Sequence, residues 1–134
     1  MSDLVFDSSA LLAMIQSERG GERVAEYFLD ERNRIYMSAV NASEAYAVLM
    51  RDGLSEGEAW RSVRLPEIEI IAFGEDDARI AGALWKQTNK LGLSFGDRAC
   101  VALGLKLGAR ILTADRQWSK LKLGIAVEMI RGGA

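Results

Sequence analysis

The chain has 134 residues, 49% hydrophobic and 27% charged with a single proline. That balance suits one compact domain that buries about two-thirds of its unfolded surface. It has no histidine and one cysteine, which removes Ser-His and Cys-His nucleophile pairs and a histidine base, and counts against disulfides and zinc. Any chemistry must come from carboxylates, hydroxyls, Lys or Arg, with hard metal ions. The formal charge of −2 conceals a division: residues 1–85 carry 8 basic and 16 acidic side chains, and residues 86–134 carry 9 and 3.

In chain order, residues 4–6 read as an apolar strand running into Asp7, followed by a helix from Ser8 and a second over residues 21–31 with Val24, Tyr27 and Phe28 on one face. Residues 35–37 form a second strand, and Ser38 opens a helix in "SAVNASEAYAVLMRDG" that closes near Gly53. "SEGEAWRSV" is another helix. A third strand spans residues 68–72, and a helix over residues 75–91 turns Ile80, Leu84 and Trp85 inward. "SFGDRACVALGLKLG" is an apolar helix stopped by Gly108, with Cys100 as a small buried hydrophobe. Residues 111–113 form a fourth strand and residues 125–130 a fifth. The alternation predicts an α/β fold over residues 1–134 as a single domain: a largely parallel sheet of about five short strands, flanked by helices on both faces. No apolar run reaches the length of a membrane span and no secretory signal opens the sequence, so a cytoplasmic protein without membrane contact is expected.

In such a fold the ligand crevice lies at the carboxyl edge of the sheet, where the strand order reverses. Asp7, Glu44 and Asp115 each follow a strand and fall at that edge; Asp97 follows a loop and is placed less directly. Each acid also has an ordinary structural reading. Asp7 and Asp115 suit helix or turn N-caps, and "NASE" and "SFGD" match capping boxes pairing Asn41 with Glu44 and Ser94 with Asp97. Converging carboxylates would repel one another and raise some pKa values unless a cation occupied the site. An oxygen-only donor set suits Mg²⁺ or Mn²⁺.

The segments "VFDSSALLA", "SAVNASEA", "LSFGDRACVALG" and "ILTADRQW", in this order and spacing, resemble the PIN-domain family of metal-dependent ribonucleases. The resemblance is to its VapC-type toxins of prokaryotic toxin–antitoxin pairs in particular. It implies a PIN-like fold and an acidic site at Asp7, Glu44, Asp97 and Asp115, with Thr113 and Ser8 as supporting hydroxyls, for which local backbone caps are an equal reading. Asn41 and Ser94 are then helix caps that orient Glu44 and Asp97. One or two Mg²⁺ or Mn²⁺ ions, held chiefly by Asp7 and Asp97 with help from Glu44 and Asp115, would activate water for in-line attack on an RNA phosphodiester. Products ending in 5′-phosphate and 3′-hydroxyl are expected.

Arg98 and Arg116 each follow a proposed ligand, so they are candidates for substrate phosphate or, equally, for ion pairs that neutralise the acids. The resemblance further implies RNA as substrate, a cognate antitoxin and a toxin homodimer, which the antitoxin would extend to a heterotetramer or larger. Trp60 and Trp118, set among charged residues, and the apolar "AYAVLM" are candidate contact surfaces. Two alternatives stay open. A receiver-like Mg-binding signalling module shares a small α/β fold with an acidic pocket, although Asp7 lacks the adjacent acid of that class. A catalytically silent PIN-like binding module would keep the fold alone. A dinucleotide-binding domain is disfavoured because neither a G-x-G-x-x-G nor a P-loop follows any strand.

Overall fold

The computed structural model describes residues 2–131. Five short apolar runs become strands: β1 (Asp3–Phe6), β2 (Arg34–Ser38), β3 (Ile68–Ile71), β4 (Arg110–Thr113) and β5 (Val127–Met129). They form one sheet in the order β3-β2-β1-β4-β5 with every pairing parallel. Parallel neighbours need long crossovers, and helices supply them. α1 (Ser8–Ile15) and α2 (Gly21–Leu29) join β1 to β2, and α3 (Ala39–Arg51) and α4 (Glu56–Val63) join β2 to β3. α5 (Glu75–Ala83), α6 (Trp85–Thr88) and α7 (Phe95–Leu107) join β3 to β4, and a 3-10 turn at Arg116–Lys120 leads towards β5.

The sheet is the expected α/β architecture, parallel throughout. From β1 the chain builds outward through β2 to β3, then returns to lay β4 on the other side of β1. The order therefore reverses between β1 and β4, and the crevice belongs at their carboxyl ends. This order puts the third strand at the sheet margin, whereas the 2-1-3-4-5 order of receiver modules puts it inside. The receiver reading is thereby removed.

Alternation along β1 divides the core in two. Leu4 and Phe6 pack with Leu11, Val24, Leu49 and Val63 of α1–α4 on one face, while Val5 joins Ile111, Cys100, Val101 and Trp118 on the other. Each large apolar side chain so buried contributes roughly 1.5–3 kcal/mol. Gly108, in the left-handed conformation at φ 61°, ends α7 and turns the chain into β4. Among the described residues no helix is long and apolar enough to cross a membrane.

Three expectations are corrected. The helix expected over residues 75–91 breaks at Leu84 into α5, α6 and a 3-10 turn at Asn89–Leu91. Gly82 weakens the helix just before that break, and the Thr88 hydroxyl donates to the Leu84 carbonyl (2.8 Å). With the break, Leu84 stays buried but Trp85 turns outward, 56% exposed. Trp118, expected at the surface, is 1% exposed and packs against Leu103 and Ile111 in the core. Its charged neighbours mislead because a single 3-10 turn points one ring inward and the rest to solvent.

Candidate active site

β1 is fully buried from Leu4 to Phe6, and the chain leaves the sheet at Asp7. The Asp7 N–H still donates to Leu112 O (3.2 Å), continuing the pairing of β1 with β4 by one residue. Its extended backbone (φ −83°, ψ 176°) makes it the N-cap of α1. Asp7 Oδ1 accepts from the Ala10 N–H (2.8 Å) and the Ser9 hydroxyl (2.7 Å), and Oδ2 accepts from the Thr113 hydroxyl (2.5 Å). Each hydroxyl in turn accepts a backbone N–H: Ser9 Oγ that of Ala114 (2.9 Å), Thr113 Oγ1 that of Asp115 (3.1 Å). The turns after β1 and β4 are thus fastened together through one carboxylate. Ser9, which the sequence did not single out, is Asp7's neighbour in this network; Ser8 instead donates to Glu44 Oε1 (3.3 Å).

Glu44 is reached from α3. The box expected from "NASE" does not form, because Ser38 already caps this helix by accepting from the Val40 N–H (3.2 Å). Asn41 sits inside the helix, buried, and donates Nδ2 to both Glu44 Oε1 (2.9 Å) and Gly96 O (3.0 Å). Asn41 therefore orients Glu44 as a cross-helix clamp rather than as a cap. Its Oδ1 is buried without a partner. α7 approaches so closely that a Cβ on Gly96 would lie 2.1 Å from Glu44 Oε2. Gly96 is a second position missed in the sequence, where it reads only as a small residue in a capping box.

The other expected box does form. Ser94 Oγ accepts from the Asp97 N–H (3.2 Å) and Asp97 Oδ2 accepts from the Ser94 N–H (2.9 Å) at the start of α7. Asp115 caps the 3-10 turn, its Oδ1 accepting from the Gln117 N–H (2.9 Å). A pattern results: among the described residues Glu44, Asp97 and Asp115 each fasten one carboxylate oxygen to the fold and leave Oε2, Oδ1 and Oδ2 without a hydrogen bond.

Asp97 is the electrostatic link among the four acids. Burial pushes the Asp7 carboxyl up to about 6 despite the bonds from Thr113, Ser9 and Ala10, and the charge of Asp97 adds to the rise. Asp97 is also raised, first by burial and then by the charges of Asp115 and Glu44. Cys100, one turn further along α7, is buried, and with the charges of Asp7, Asp97 and Glu44 its thiol is pushed well above the usual value. It stays protonated and inert.

No basic side chain among the described residues pairs with any of the four acids. Arg98, expected beside them, donates Nη1 to Ala81 O (3.0 Å) and so ties α7 to α5, alongside the Lys106–Asp77 pair (3.0 Å). Arg116 is exposed and unpaired among the described residues.

As the side chains stand, no three Asp, Glu or Cys residues among those described converge tightly enough to hold a metal between them. The donor set does fit a hard cation that keeps most of its waters: oxygen only, with mutual repulsion to relieve and three carboxylate oxygens to spare. It does not fit an all-protein cage.

The model of the PIN domain matches residues 4–123, a span that contains all four acids. No curated protein sequence matches the chain significantly. Among solved structures, the sarcin–ricin loop cleaving toxin VapC20 of Mycobacterium tuberculosis is similar at 14% identity, over 92% of this chain and 98% of that one, with a TM-score of 0.73. A chain of DNA-bound VapBC from Salmonella typhimurium is similar at 15% identity, over 96% and 98%, with a TM-score of 0.74. A chain of a toxin–antitoxin complex from Klebsiella pneumoniae is similar at 16%, over 92% and 95%, with a TM-score of 0.68. At these identities the likeness establishes the fold.

Proposed function

Since the chain belongs to the PIN-domain family, we propose that it is a Mg²⁺- or Mn²⁺-dependent endoribonuclease, the toxin of a type II toxin–antitoxin pair. The observation that carries this reading is the crevice between β1 and β4. Around it Asp97 feels the charges of Glu44 and Asp115 and adds its own to Asp7, and the four acids lack any basic partner among the described residues and leave three carboxylate oxygens unbonded. Repulsion of this kind costs stability unless a cation relieves it.

Asp7 and Asp97, with Glu44 and Asp115, would hold a divalent ion there, and the chemistry it would supply is positive charge for the phosphodiester and acidified water for the attack. The residues supply order. Thr113 and Ser9 hold the Asp7 carboxylate ionised and fixed, the Ser94 box aims Asp97, and Asn41 with Ser8 aims Glu44. No side-chain nucleophile is required, in keeping with a chain that lacks histidine. Arg116, exposed next to Asp115, would meet a substrate phosphate, and Arg98 would support the site through its tie to α5. The similar toxin–antitoxin structures support a cognate antitoxin; a toxin dimer and cytoplasmic action belong to the same proposal. The test is cleavage of RNA in Mg²⁺ or Mn²⁺ against EDTA. A catalytically silent binding module draws on the lack of three converging ligands, and the same assay decides against it if Mn²⁺ elicits cleavage.

A further inference from the structure

Phe95 opens α7 and is 51% exposed. A lone exposed aromatic is ordinary, but this one is braced. Phe73, two residues beyond β3, meets its ring edge-on at 5.5 Å and 81°, and the Arg98 guanidinium, itself anchored on Ala81 O, lies 6.0 Å from its centroid. The fold therefore holds the ring in place while leaving half of it to solvent.

Its location is specific as well. Phe73 follows the carboxyl end of β3, so the aromatic pair stands at the same sheet edge as Asp7 and Asp115. Phe95 shares a helical turn with Asp97, separated by about 3 Å of helix axis. Positions two apart point to different flanks of a helix, so Phe95 borders the acids without entering among them. Arg116, exposed after Asp115, stands beyond the carboxyl end of β4. Aromatic surface near β3, acids in the middle and positive charge beyond β4 form a track along one edge.

We propose that Phe95 is a stacking platform for an unpaired base beside the scissile bond. This rests on the nuclease reading above. A fixed aromatic ring accepts any base because every base has a π-face, whereas bases in a duplex are already stacked and out of reach. Since Phe95 lies on the neighbouring flank of α7, the base it takes belongs to a nucleotide beside the one being cleaved.

The test is steady-state cleavage of a single-stranded oligoribonucleotide in Mg²⁺ by the parent, Phe95→Ala, Phe95→Leu and Phe95→Trp, repeated on substrates made abasic at single positions around the cleavage site. Phe95→Ala should raise KM about tenfold with kcat little changed, Phe95→Leu should resemble it, and Phe95→Trp should keep the parental value. One abasic position should cost the parent a similar factor and cost Phe95→Ala nothing more, since both remove the same contact. Parental KM in Phe95→Ala, full function in Phe95→Leu, or losses that simply multiply would overturn the proposal and leave this aromatic pair to packing or protein contact. A parent that cleaves no RNA in Mg²⁺ or Mn²⁺ overturns the nuclease reading instead, and this inference with it.

Discussion

Asp7→Asn should abolish a pH dependence of stability that the parent carries in the absence of metal. Asp7 is 4% exposed, and its carboxyl lies at about 6 in the folded chain against an ordinary 3.8. The native state therefore holds the proton more tightly than the unfolded chain does. That contribution is fully present below pH 3.8 and is lost as pH rises through 6. A difference of this size corresponds to about 3 kcal/mol, complete by about pH 7. Other acids titrate in the same range: Asp97 is raised too, while Asp30, Asp52, Glu58, Asp77 and Glu128 are lowered and act oppositely. The informative quantity is thus the parent minus Asp7→Asn, measured by urea denaturation in EDTA from pH 3.5 to 7.5. The parent should lose ground against the variant by about 3 kcal/mol between those limits, offset at every pH by a constant for the hydrogen bonds that asparagine makes poorly. A difference that stays flat across this range would refute the claim that burial and Asp97 hold Asp7 out of its ordinary range.

Three further outcomes are expected. Gly96→Ala places a Cβ 2.1 Å from Glu44 Oε2; because the end of that side chain can swing away and alanine is the better helix residue, thermal melts should change by no more than about 1 kcal/mol, while the displaced Glu44 should cut cleavage by about tenfold or more. Thr113→Val deletes the donor to Asp7 and the acceptor of the Asp115 N–H. It should cost about 1–3 kcal/mol in denaturant melts and, because the lost bond lowers Asp7, move the acid limb of the pH–rate profile upward. Arg116→Ala should leave the melting curve unchanged, weaken RNA binding and reduce the slope of log K against log salt by about 1, read by fluorescence anisotropy.

Most of the strand and helix order was legible because its signals are local. Short apolar runs, Ser94 three positions before Asp97, and Gly108 after an apolar helix each carry their own geometry. Signals failed where one element's structure depends on another's. "NASE" matches a capping box as well as "SFGD" does, yet Ser38 had already started the helix, and Asn41 was free to bridge to Gly96 O on α7. Ser8 and Ser9 are indistinguishable as letters; only the β1–β4 pairing decides that Ser9 meets Asp7 and Ala114. Gly96 could not be read at all, since its importance lies in Glu44, which arrives from a helix 52 positions earlier. Arg98 directly follows Asp97 in sequence, but adjacent residues on a helix face different ways, and its guanidinium turns to Ala81 O.

In the proposed reaction the four acids cleave RNA with a divalent ion and water. Its most direct test is single-turnover cleavage of end-labelled RNA by the parent and by Asp97→Asn, in Mg²⁺, Mn²⁺ and EDTA, with the product ends identified. The parent should cleave in either metal and not in EDTA, a folded Asp97→Asn should not cleave at all, and the fragments should end in 3′-hydroxyl and 5′-phosphate. Cleavage that persists in EDTA, survives Asp97→Asn, or leaves a 2′,3′-cyclic phosphate would contradict it.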